Sequence, residues 1–112
     1  MSAVVSITRI APPPSRKSVI ASVEHAIESA RWREFIPRSA EVALKPNLGW
    51  DLLLPGATTS PWALEEVVRT IRDWAGAIYV VESDQVVVDV EKAFRLCMPI
   101  HHLTTEFNVT GH

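Results

Sequence analysis

The spacing of apolar residues switches along the chain between short unperiodic runs and runs of helical period. Ala3 to Thr8 is short, apolar and β-branched, which predicts a first strand. Pro12-Pro13-Pro14 excludes helix and central strand and makes a stiff connector. Ser15 or Ser18 then caps a helix. Val19, Val23, Ala26, Ile27 and Ala30 fall on one face of it, with Glu24, His25 and Glu28 on the other side. His25 reads as a solvated helix residue rather than a ligand. Trp32 to Ile36 closes this helix and tucks its aromatics under the sheet, and Pro37 ends it. Val42 to Lys45 is apolar without alternation until its last residue, as expected of a strand covered on both faces in a parallel sheet.

Asn47 to Ser60 is a long loop, and long loops in compact domains tend to be functional or mobile. Trp50, Leu52, Leu53 and Leu54 within it need cover. Either the loop packs on its own domain, or it is a lid or a contact with another chain. Ser60-Pro61 starts a helix, with Ser at N-cap and Pro at N1. Glu65 and Glu66 sit near its positive end. Leu64, Val67, Val68, Ile71, Trp74 and Ala75 make its apolar face, and Gly76 is expected to close it as a left-handed cap. Ala77 to Val81 is a third strand. Beyond Glu82-Ser83-Asp84 two readings stand. Val86 to Val88 returns as a hairpin strand, or it is connection and Asp89 caps a helix on which Val90, Ala93, Phe94 and Cys97 keep helical spacing. The helix is preferred. Leu103 to Phe107 is expected as an edge strand, and Gly111-His112 ends the chain with no further element.

This alternation of strand and helix argues a single α/β domain over residues 1–112. Its sheet would be small, open and mainly parallel, with three to four strands, helices on its faces and right-handed crossovers. In such sheets ligands bind outside the carboxyl ends of the strands. Lys45, Asn47, Glu82, Ser83 and Asp84 fall at such ends, and Thr58, Thr59 and Ser60 lead into a helix N-terminus. A cation, an amide, hydroxyls and free backbone N–H groups together make an anion site. Each residue also has an ordinary structural role open to it. Lys45 can pair with Glu82 or Asp84, the Thr58-Thr59-Ser60 hydroxyls can cap the helix, and Glu82 and Asp84 can cap turns. In a functional role, those two acids are a general base or magnesium ligands.

Composition narrows the classes. The chain has 112 residues, 47% of them apolar and 21% charged, which is globular rather than disordered. A net charge of -2 and the lack of a Lys/Arg stripe beyond Arg16-Lys17 argue against nucleic acid. Cys97 is the one cysteine, so no disulfide framework or cysteine-ligated iron–sulfur cluster is expected within this chain, and a reducing compartment fits. No apolar run approaches the roughly 18 residues of a membrane span, so no membrane partner is expected and the cytoplasm is the default. Asn108-Val109-Thr110 matches a glycosylation sequon, read as chance without a secretory route. His101, His102 and His112 do not suggest a metal, because adjacent strand residues point to opposite faces. Cys97 has no identifiable partner that would make it a catalytic thiolate.

Three motifs in order resemble a family: Lys45-Pro46-Asn47 at a strand end, Thr58-Thr59-Ser60-Pro61 at a helix start, and Glu82-Ser83-Asp84 after the next strand. Over roughly Val4 to Leu96 the chain is similar to the domain-of-unknown-function 362 family, whose members are often described as iron–sulfur-centre proteins and likened to lactate-racemase-type domains. The resemblance implies a longer α/β protein with a second portion and ferredoxin-type cysteine clusters. This chain has one cysteine and the extent of about one third of such a protein, which suggests a truncated member. The resemblance assigns no catalytic residues. The sequence therefore supports a domain binding an anionic small molecule as part of an enzyme. The alternative is a truncated structural or interaction domain that self-associates or needs a companion chain through Trp50, Leu52, Leu53 and Leu54.

Overall fold

The computed structural model describes residues 2–48, 56–81 and 110–111. Helix α1 spans Arg16–Ser29 and opens on a capping box. The Ser15 hydroxyl accepts from the Ser18 N–H at 3.1 Å, and the Ser18 hydroxyl accepts from the Ser15 N–H at 2.9 Å. Both candidate caps are therefore used, Ser15 as N-cap and Ser18 as its reciprocal partner.

The helix does not run on into Trp32–Ile36. Arg31 adopts left-handed angles (φ 55°, ψ 45°), and a separate 3-10 turn, Trp32–Glu34, follows. Trp32 is buried there, but Phe35 is exposed, so only the tryptophan tucks under the fold. Trp32 meets Trp74 edge-to-face at 5.9 Å between ring centroids. The indole N–H of Trp74 donates to the Ile36 carbonyl at 2.8 Å.

Strand β1 is Glu41–Leu44, helix α2 is Pro61–Ile71 and strand β2 is Ala77–Val80. β1 and β2 pair in parallel, with Val42 beside Ile78 and Leu44 beside Val80. The three elements form a β–α–β unit, which makes the fold α/β. A two-residue strand β3, Thr110–Gly111, pairs in parallel with the far end of β2. The chain end at Gly111 is thus part of the sheet, because β2 offers it an unused row of backbone groups.

Leu64, Val68 and Ile71 of α2 pack with Ile78 and Val80 of β2, joined by Trp32 and Leu48. α1 lies against α2. Along β1 the inward Val42 and Leu44 are partly buried while Glu41 and Ala43 are exposed. Among the described residues the strand is therefore covered on one face, not two. Its lack of alternation arose because the outward position is a small apolar Ala43.

Two further expectations change. Ala3 to Thr8 forms no strand: Val5 and Ile7 are 83% and 91% exposed. β-Branched residues favour a strand only where a neighbour supplies a ladder and a packed face, and no described residue supplies this segment with a ladder. Gly76 is not a left-handed cap, since Gly56 is the one glycine with positive φ among the described residues. α2 closes at Arg72, and Gly76 is required for space, because a Cβ there would collide with the Ser39 carbonyl oxygen. The close approach is a clasp: Ser39 N–H donates to the Trp74 carbonyl and Gly76 N–H to the Ala40 carbonyl, each at 2.8 Å. It sets the β1–β2 register.

Trp50 and Leu52 to Leu54, Glu82 to Asp84, the helix or hairpin around residues 86–97, the histidines and the Leu103–Phe107 strand all lie outside the described residues. No helix among the described residues is long and apolar enough to cross a membrane.

Candidate functional site

The exposure pattern of β1 continues past its end. Lys45 and Asn47 are exposed, and Pro46 and Leu48 are buried, Leu48 to 1% exposure. An extended chain with that alternation projects Lys45 and Asn47 to the same side. The two buried residues anchor them from beneath.

The returning loop closes directly on this segment. Gly56 turns the chain at φ 83°, a conformation that suits glycine. Leu48 and Thr58 then form an isolated antiparallel bridge. Thr59 holds Asn47 twice: its N–H donates to the Asn47 carbonyl at 3.0 Å, and its hydroxyl accepts from the Asn47 N–H at 2.8 Å. The Asn47 side-chain amide donates to the Ala57 carbonyl at 3.1 Å. Asn47 is thus partly spent on holding the loop. Its side-chain oxygen and the Thr59 O–H keep further hydrogen-bonding capacity.

Ser60 takes the N-cap backbone position of α2, but its side chain makes no capping hydrogen bond. Pro61 has no N–H, and helical geometry gives the N–H groups of Trp62 and Ala63 no intrahelical acceptor. The α2 N-terminus therefore presents donors beside the Asn47 clasp. The Thr58 hydroxyl oxygen is buried and has no hydrogen-bond partner. Lys45, Asn47, Thr58, Thr59 and Ser60 are all carried by this one clasped unit. Glu82, Ser83 and Asp84 lie outside the described residues, directly after Val81, whose N–H donates to the Leu44 carbonyl at 2.9 Å. No group of three or more His, Cys, Asp or Glu among the described residues is arranged to hold a metal ion.

A second polar cluster was not read from the sequence. Glu65 and Glu66 are 6% and 3% exposed, buried between α2 and α1 rather than solvated at the helix start. Glu65 accepts from Arg16 at 2.5 Å and from Arg69 at 3.0 Å. Burial pushes its carboxyl up, but the two guanidinium groups outweigh burial and hold it below the ordinary range. Burial pushes Glu66 up as well. Arg69 and the Thr70 hydroxyl oppose that shift, while Glu24 and Glu65 reinforce it, and the net direction is upward. Farther along α1, the Arg33 hydrogen bond, aided by the Trp32 indole N–H, lowers Glu28. One signal was available in the sequence: Glu65 and Glu66 sit between Leu64 and Val67-Val68 on a helix with few polar positions. What was missing was the partner, because Arg16 lies 49 residues away.

A family model described as Domain of unknown function (DUF362) matches residues 42–108, more than half of the chain. The chain belongs to this family. The match starts in β1 and takes in the Lys45–Asn47 segment, the Thr58–Ser60 return, α2 and β2. It begins later and ends later than the Val4 to Leu96 resemblance, so in this DUF362 chain α1 precedes the matched region. No significant match was found among curated proteins or among solved structures.

Proposed function

We propose that this DUF362 domain binds an anionic small molecule, a phosphate or carboxylate, at the carboxyl end of β1 and the N-terminus of α2, as part of an enzyme. The observation that carries the reading is the Asn47–Thr59 clasp, which joins a strand end bearing an exposed Lys45 to a helix start with uncapped donors. A cation supplies charge without directional demand, and helix N–H groups supply directed donors. Glu82, Ser83 and Asp84 complete the site in this reading, at the end of β2. The sheet is then a Rossmann-like one of three to four strands with helices on its faces, in a cytoplasmic protein. The reading includes no iron–sulfur cluster held by this chain alone. Such clusters take several thiolates, and Cys97 is its one cysteine.

Calorimetric titration of the full chain with inorganic phosphate, nucleotides and short carboxylic acids tests it. Saturable binding of at least one anion is expected. Lys45→Ala should weaken it roughly tenfold or more, the scale of one lost charge-assisted interaction. Absence of binding across the panel, or undiminished binding by the variant, overturns the proposal.

A second reading, self-association or docking with a companion chain, is favoured by a separate observation. Val5 and Ile7 stand exposed on an N-terminal segment that joins no strand among the described residues. With Trp50, Leu52, Leu53 and Leu54 they would supply apolar contact area. Light scattering decides it: a strictly monomeric protein rules out self-association.

A further inference from the structure

Among the described residues β1 has one neighbour in the sheet, β2. The Leu44 carbonyl accepts from the Val81 N–H at 2.9 Å, and the Ala40 carbonyl accepts from the Gly76 N–H at 2.8 Å. Successive residues of a strand direct their backbone groups to opposite sides. Val42 and Leu44 therefore serve β2, and Glu41 and Ala43 aim their N–H and C=O groups at the far edge. No described residue pairs with that row. Side-chain cover thins out at the same edge. Ile78 and Val80 of β2 are buried, but Val42 and Leu44 beside them are only half-buried, although they belong to the same apolar layer. A strand laid along β1, with apolar residues at i and i+2, would add a row to that layer and complete the ladder.

The chain itself carries a segment of that kind. Val5 and Ile7 are β-branched, two residues apart, and 83% and 91% exposed. Ser6, Thr8 and Ile10 alternate with them and are half-buried. The segment thus rests on its own molecule by one side and turns Val5 and Ile7 outward. Single exposed apolar residues are ordinary, but two at strand spacing in a segment of strand composition are matched to a sheet. In its own copy the segment joins no strand among the described residues, and the stiff Pro12-Pro13-Pro14 connector separates it from α1. A second copy presents the same β1 edge, and exchange of an identical element between copies is a low-cost route to a dimer.

We propose that residues 3–8 of one copy pair as an added strand with the β1 edge of a second copy, setting Val5 and Ile7 beside Val42 and Leu44. Ser6 and Thr8 then fall on the outer face of the sheet with the exposed Ala43. Each copy has one such segment and one such edge, so the exchange closes as a two-fold dimer. This rests on the self-association reading above and names the two surfaces that meet.

Sedimentation velocity of the full chain over a range of concentrations, with NMR of an equal mixture of isotope-labelled and unlabelled chains, tests it. A dimer is expected, with isotope-filtered NOEs between residues 3–8 of one copy and β1 of the other. Val5→Asp combined with Ile7→Asp, at two highly exposed positions, should weaken dimerisation roughly tenfold or more. Ala43→Pro removes an N–H that an edge strand can spare but that the added strand needs, and should weaken it in the same direction. A dimer whose affinity is unchanged in either variant overturns the strand exchange and leaves self-association standing. A monomer at every concentration overturns both. NOEs between residues 3–8 and β1 that arise within one copy overturn the second copy as the occupant of the edge.

Discussion

Thr59 spends both its backbone N–H and its hydroxyl on Asn47, so one residue fixes the position of the strand end relative to the helix start. Thr59→Val keeps the shape and removes the acceptor, leaving the Asn47 N–H unpaired. Denaturant unfolding should show a loss of about 1–3 kcal/mol. Any anion binding should weaken with it, because the clasp positions the donors. Glu65 and Glu66 make opposite contributions with pH. The lowered carboxyl of Glu65 stabilises the fold above the ordinary value of 4.5, and that contribution is lost as pH falls through its folded value. The raised carboxyl of Glu66 stabilises below 4.5, and its contribution is lost as pH rises through its folded value. Glu66→Gln should therefore raise the melting temperature at neutral pH, with the gain shrinking as the pH is lowered toward 4.5. A gain that instead grows toward acid would contradict the assignment. At this scale Lys45, Asn47 and Thr59 were legible, because a strand stop and a helix start mark their places in the chain. The buried Glu65 was not, because burial of its charge depends on distant Arg16.

The elements that form are those whose local signals agree with a neighbour. α2 has Pro61 at its first turn and an apolar face that meets β2, and β1 and β2 have each other. Ala3 to Thr8 has the composition of a strand but no ladder to join among the described residues, and Val5 and Ile7 stay exposed. Gly76 shows the same dependence on context. The sequence places a glycine after a helix, where a left-handed cap is the common use. The structure uses it because the chain before β1 passes against it. Gly76→Ala should cost about 1–3 kcal/mol by crowding the Ser39 carbonyl, measured by chemical unfolding. Since its φ is not positive, a stability unchanged by alanine would show that the approach at Ser39 is not close.

Across the molecule, a single core of Leu48, Leu64, Val68, Ile71, Ile78 and Val80 joins the sheet to α2, and Trp32 extends it beneath α1. Leu48 belongs to this core, so the segment that carries Lys45 and Asn47 is fastened to the most buried part of the fold. Two polar clusters consequently flank α2. The Asn47–Thr59 clasp lies at its N-terminus, and Glu65 and Glu66 with Arg16 and Arg69 lie on the side that faces α1. Leu64→Ala, between them, should cost about 2–5 kcal/mol, read by thermal or chemical unfolding, and should loosen both. The α/β class was legible in the alternation of strand and helix. The packing of α1 on α2 through charged residues was not, since periodicity records which face is apolar and is silent about paired buried charges.

The most direct test of the proposed anion site is the amide NMR spectrum of the full chain during addition of inorganic phosphate and short carboxylic acids. Saturable shifts at Asn47, Trp62 and Ala63, lost in Lys45→Ala while the rest of the spectrum holds, are the predicted result. Shifts absent from those three amides, or unchanged in the variant, would show that the strand end and helix start are joined for structure alone.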